Sequence, residues 1–195
     1  FPWADGRLAA PYPFDYAVAS QCDRGHALGK TLYACGSAMK ITLLTVGRTD
    51  IPWVREGLQT YVSRLEHYVR FSLVEIPELK NVSALSKDNI KIKEGELLLG
   101  NVRPSDTLVL LDEHGRELRS VEFASELSAM MSRGGKDMVF AIGGAYGFSP
   151  AVYNRADRKL SLSRMTFSHQ MVRTIFAEQL YRAFTIMRGE PYHHE

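Results

Sequence analysis

A chain of 195 residues is long enough for one domain with a sizeable core, and 45% apolar with 24% charged residues is ordinary for a globular protein. No apolar run approaches the ~18 residues of a membrane span, which excludes a transmembrane helix. A net charge of +2 does not by itself announce a nucleic-acid binder.

Residues 1–38 mix Pro, Gly and Ala without sustained periodicity, and Asp5, Asp15 and Asp23 balance Arg7, Arg24 and Lys30. They lack the continuous apolar stretch of a secretory signal and make a poor transit peptide, with a targeting peptide as the competing reading. They are expected to form a disordered extension, with Met39 as the natural start and residues 39–195 as the folded domain. The two cysteines, Cys22 and Cys35, have no metal-ligand spacing. They fit a reducing, cytoplasmic setting rather than a disulfide framework.

From Met39 strands and helices alternate. Ile41–Val46 reads as a buried strand, ended by Gly47. Pro52 suits the first turn of a helix whose apolar stripe is Trp53, Val54, Leu58, Tyr61, Leu65 and Tyr68. Phe71–Ile76 is a strand, and Ser86 caps a charged helix running to about Leu99. Thr107–Leu111 is a short strand closed by a turn at Asp112-Glu113-His114-Gly115. Ser120 caps a helix with Val121, Ala124, Leu127 and Met131 inward, ended by Gly134-Gly135. Met138–Ile142 is another buried strand. A short helix after Ser149-Pro150, a strand at Lys159–Leu162 and a long helix from about Ser168 to Met187 complete the order. Such alternation predicts an α/β fold, a mostly parallel sheet with helices on both faces. Ligands of these sheets gather at the carboxyl ends of strands, so the turns after Leu111, Ile142 and Leu162 are candidate site loops.

Gly143-Gly144-Ala145-Tyr146-Gly147 follows a strand, as nucleotide-binding loops do, but it is neither G-x-G-x-x-G nor a Walker motif. Its glycines permit close approach of a flat ligand to the main chain; a tight turn without a ligand explains them equally well. Ser163–Ser168 is rich in hydroxyls and leads into a helix, where amides and side chains can grip polar ligand groups or merely cap the loop. His169 and Arg173 are four apart and are expected to share the polar face of that helix. Val172, Ile175, Phe176, Leu180, Ala183, Phe184 and Met187 form the apolar face. Over residues 155–188, Arg155, Arg158, Lys159, Arg164, Arg173, Arg182 and Arg188 are opposed only by Asp157 and Glu178, a local basic patch able to attract phosphate or a solvated helix face. Tyr192 and His193 could stack on or hydrogen-bond a base, or belong to a frayed tail. There is no triad, zinc or paired-carboxylate signature. The residues alone support an α/β binder of a small ligand with polyanion contact and name no reaction.

The chain from Met39 resembles the ribosomal RNA large subunit methyltransferase H family, a branch of the SPOUT methyltransferases. The resemblance is carried by Met39–Gly47, Val109–Asp112, Phe140–Gly144 with Gly147, Leu160–His169, Glu178–Ala183 and Tyr192-His193, all in family order. It implies a SPOUT-like domain with a C-terminal trefoil knot, a homodimer, and S-adenosylmethionine as methyl donor without a metal. Cofactor contacts map onto Leu111, Gly144, Ser163, Arg164, Met165, Thr166, Phe167 and Ser168. The implied acceptor is N3 of a pseudouridine in large-subunit rRNA within the assembled ribosome. In that setting His169 is the first choice for orienting the acceptor or taking its proton, and Arg173 for phosphate contact or for the developing anion. Tyr192 and His193 would hold the flipped base. The chain departs from many relatives in having Ser168 where they have Pro; Ser can cap the following helix. The competing readings are a non-catalytic RNA- or ribosome-binding module of the same fold, and a methyltransferase acting on tRNA or another base.

Overall fold

The computed structural model describes residues 39–132 and 135–193. The expected extension over residues 1–38, and the helix stop at Gly134, lie outside them. The chain order is β1 (Lys40–Val46), α1 (Pro52–Leu65), β2 (Arg70–Ile76), a 3-10 turn (Val82–Ala84), α2 (Lys87–Gly100), β3 (Thr107–Glu117), α3 (Ser120–Ser132), β4 (Met138–Ile142), α4 (Pro150–Arg155), β5 (Arg158–Ser161) and α5 (Met171–Arg188). The five strands form one sheet in the order β2-β1-β4-β3-β5, and each of the four pairings is parallel.

Burial of the central strands on both faces explains their uninterrupted apolar runs. Side chains alternate across the sheet. Ile41 and Leu43 of β1 and Phe140 of β4 therefore pack with Leu58 and Leu65 of α1, Phe123 and Leu127 of α3, and Phe176 and Leu180 of α5. Their neighbours Leu44, Val139 and Ala141 point the other way, onto Leu98 of α2 and Val152 of α4. The α/β architecture with helices on both faces is thus as the sequence predicts.

Three local readings change. Trp53 is 62% exposed rather than part of the inward stripe of α1, because it occupies the first turn beside Pro52 and faces outward. β3 does not stop at Leu111: its pairing with β5 shifts register between Leu111 and Arg116 and continues to Glu117. The expected turn at Asp112–Gly115 is an irregularity within the strand, and Gly115 lies so close to β5 that an added Cβ would sit 2.5 Å from the Leu160 carbonyl carbon. Third, the Ser120 hydroxyl donates to Gln179 Oε1 on α5 instead of capping α3, and Glu122 closes that turn by accepting from the Arg119 amide. By contrast, Ser86 and Ser149 accept amides in the first turns of α2 and α4. α5 ends as a helix should, on Gly189 at φ +66°.

Candidate functional site

The carboxyl ends of β3, β4 and β5 open into a cavity of about 380 Å³, within the range typical of small-ligand and cofactor sites. One wall is Leu111, Asp112 and Glu113 of β3; a second is the loop Ile142–Phe148 after β4; a third runs from Leu160 to His169, with Val172 behind it. The predicted residues Leu111, Gly144, Ser163, Met165, Thr166, Phe167, Ser168 and His169 converge here from three separate loops.

Backbone demands explain the glycine wall. Gly147 has φ +79°, a conformation L side chains rarely adopt, and its amide donates to the Gly144 carbonyl at 3.1 Å. A Cβ on Gly143 would press on the Gly147 backbone at 3.2 Å. The turn is therefore tight, with little side-chain bulk at Gly143, Gly144 and Gly147 where they line the cavity. The opposite loop is held by its own hydroxyls: Ser161 Oγ donates to the Ser163 carbonyl, and Ser163 Oγ accepts the Met165 amide. Met165 is 76% and Phe167 37% exposed, unusual for apolar residues and available to cover an apolar ligand face. Ser168 Oγ accepts the Met171 amide at 3.2 Å, so serine here closes the turn that leads into α5, whose N-cap position is Gln170. Ser168→Ala is expected to lower stability by about 1 kcal/mol, measurable as a drop in the urea midpoint.

Asp112 marks the β3 wall. Burial pushes its carboxyl up, but hydrogen bonds from the Tyr153 hydroxyl at 2.5 Å and from the His114 amide outweigh this and leave it below the usual 3.8. The stability this contributes is complete above that ordinary value and is lost as pH falls through the lowered one. Tyr153→Phe is expected to narrow the stability gap between pH 5 and pH 2.5 in urea titrations; an unchanged gap would contradict the assignment.

Two groups of predicted residues lie elsewhere. Arg173, expected on the polar face, is fully buried. Its Nε donates to the His169 carbonyl at 3.0 Å, Nη1 to Thr49 Oγ1 at 2.8 Å and Glu75 at 3.3 Å, and Nη2 to the Val46 carbonyl at 2.8 Å. The reason is registry. α5 begins at Met171, after His169, so the two do not share a helical face; Arg173 instead heads the buried stripe of Phe176, Ala177, Leu180 and Phe184. Its full burial, with each of its three nitrogens donating to protein, corrects its reading as a phosphate contact on the polar face. Gln170 adds to the strap by accepting the amides of Asp50 and Ile51, both at 3.1 Å.

The arginines of the basic patch are likewise paired, with carboxylates both inside and outside the segment. Arg155 pairs with Asp157, Arg158 with Glu126, Arg164 with Glu117, Arg182 with Glu178 and Arg188 with Glu190. Arg164 therefore projects away from the cavity, unlike its neighbours in the loop. Tyr192 packs on Tyr181 at 4.8 Å, lies under the Arg182 guanidinium and donates to Glu178 Oε1 at 3.2 Å. Neither it nor His193 lines the cavity. Asp112, Glu113, Phe148, Leu162 and Val172 do line it and were not singled out as contacts; only the extension of β3 beyond Leu111 brings the two carboxylates in.

A parallel α/β sheet with a small-ligand cavity at its strand ends, walled by a glycine turn and a hydroxyl-rich loop, defines the class. A family model described as "Predicted SPOUT methyltransferase" matches residues 39–193. The chain is similar to the ribosomal RNA large subunit methyltransferase H of Phocaeicola vulgatus, at 54% identity over 157 residues, which is 80% of this chain and 100% of the relative. The proteins of the same name from Bacteroides thetaiotaomicron and Flavobacterium johnsoniae are 53% and 51% identical over the same shares. The chain belongs to the SPOUT methyltransferases, within the ribosomal RNA large subunit methyltransferase H family.

Proposed function

We propose that this protein transfers the methyl group of S-adenosylmethionine to N3 of a pseudouridine in large-subunit rRNA, on the assembled ribosome and in the cytoplasm. The observation that carries the reading is the convergence of Leu111, Gly144 and Ser163–Ser168, apart from Arg164, on one cavity. The pocket suits that cofactor. Main-chain groups of Ile142–Gly147 and the hydroxyls of Ser163, Thr166 and Ser168 offer partners for adenine edges and a ribose, while Leu111, Leu162, Met165 and Phe167 flank apolar faces. When bound, the cofactor supplies an already activated methyl group on its sulfonium.

The chain's own residues then have two tasks, in-line positioning and acceptance of the N3 proton. His169 lines the cavity beside Ser168 and takes the second role. Its carbonyl is held by Arg173, so the arginine acts through His169 as a positioning residue rather than on RNA. The tail residues Tyr192 and His193 hold the acceptor base within a homodimer, and the trefoil knot belongs to the same proposal. The paired arginines favour recognition of a large preformed surface over tight binding of naked RNA, whose affinity rests on free phosphate contacts.

Saturable binding of labelled S-adenosylmethionine to the purified chain is expected; its absence would favour a non-catalytic ribosome-binding module. His169→Ala is expected to lower the single-turnover methylation rate at saturating ribosomes by roughly 10²-fold or more, the scale of general acid–base contributions, and His193→Ala to lower it through poorer positioning of the base. Unchanged rates in both would remove the assigned roles.

A further inference from the structure

Two carboxylates, Asp112 and Glu113, line this cavity and, among the described residues, no Lys or Arg does; a third, Glu94 of α2, lies behind Gly144 of the glycine wall. Glu94 is 91% buried, at 9% exposure. Its Oε2 is buried without a hydrogen-bond partner. A Cβ built on Gly144 would lie 2.5 Å from that oxygen and 2.9 Å from Oε1. The carboxyl therefore fills the space where a side chain of residue 144 would be, one backbone thickness from the cavity. Leaving such a group unpaired is unfavourable, and Oε2 has no hydrogen-bond partner among the described residues. Burial, then repulsion from Glu78, works against its charge, whereas a cation in the cavity would favour it.

We propose that Glu94, with Asp112 and Glu113, makes this cavity selective for charge, so that it holds the cationic methyl donor and releases the neutral thioether left after transfer. The inference rests on the cofactor reading above. Donor and product share adenosine and amino-acid parts and differ at sulfur by one methyl group and one positive charge. Contacts from the glycine turn and the hydroxyl loop are common to both. A buried carboxylate acts equally on the charges the two ligands share, so its differential effect falls on the sulfonium. Product departure is then assisted by the chemistry itself, because transfer removes the charge that the wall attracts.

Isothermal titration of the full chain with S-adenosylmethionine and with S-adenosylhomocysteine reads this directly. The wild type is expected to prefer the donor, and Glu94→Gln to reduce that preference by about tenfold, mostly through weaker donor binding. Asp112→Asn, which keeps an acceptor for Tyr153, is expected to reduce it in the same direction. A Glu94 that merely propped the loop would weaken both ligands equally and leave the ratio unchanged, as would a variant with a partly unfolded population. An unchanged ratio with both ligands still binding overturns the charge selection alone. Failure of both ligands to bind the wild type overturns the cofactor reading on which it stands.

Discussion

Arg173→Met is expected to destabilise the protein by about 2–4 kcal/mol, somewhat below the scale for breaking a fully buried ion pair because Glu75 is part-exposed. Methionine fills much of the volume, so the loss is polar. The Val46 and His169 carbonyls lose their arginine partner, Thr49 loses one of its contacts, and the Glu75 carboxylate loses its cation. Glu75 retains the Thr49 amide at 2.8 Å and hydroxyl at 2.6 Å, which is why the lower end of the range applies if that loop holds. Denaturant unfolding followed by circular dichroism checks the value. A change below about 1 kcal/mol, typical of an exposed pair, would mean that the strap is solvated in solution.

Gly115→Ala is the second large effect, and it reaches the site through the sheet. The obstructing atoms are backbone: an added Cβ would stand 2.5 Å from the Leu160 carbonyl carbon, 2.6 Å from its nitrogen and 2.7 Å from the Ser161 nitrogen. No rotamer change relieves such a clash, so β5 must move away from β3. Overpacking of this kind destabilises by about 1–3 kcal/mol. The displacement also shifts Leu160–Ser163, one wall of the cavity, so affinity for S-adenosylmethionine is expected to fall by more than tenfold, as 1.4 kcal/mol of lost binding would give. Gly144→Ala provides the contrast. Its obstruction is the end of the Glu94 side chain, which can rotate, and a smaller stability loss is expected.

These contrasts show what could be read from the chain alone. Unbroken runs such as Met138–Ile142 announced buried parallel strands, and each of its five residues is buried. The loops at Gly143–Gly147 and Ser163–Ser168 announced themselves because turns need glycine and helix starts need hydroxyls. Partnership across long separations was not legible. Arg173 meets Val46, 127 residues away, and a guanidinium that satisfies strand-end carbonyls looks in sequence like any surface cation. The same holds for Arg158 and Arg164, whose carboxylates lie on α3 and β3. The irregular β3 defeated a reading by turn residues: Asp112-Glu113-His114-Gly115 has turn composition, yet Gly115 is there for the approach of β5. Glu94 gave no signal at all, as one charged residue in the charged helix Lys87–Gly100.

The cavity at the ends of β3, β4 and β5 is proposed to hold the methyl donor for a ribosomal target. The most direct test is methyl transfer from labelled S-adenosylmethionine to purified ribosomes, free rRNA and tRNA in parallel, with mass-spectrometric mapping of the modified nucleoside. The account predicts label in the large-subunit rRNA of assembled ribosomes, carried as N3-methylpseudouridine, with little in free rRNA and none in tRNA. Label in tRNA, or at another position of the base, would contradict it.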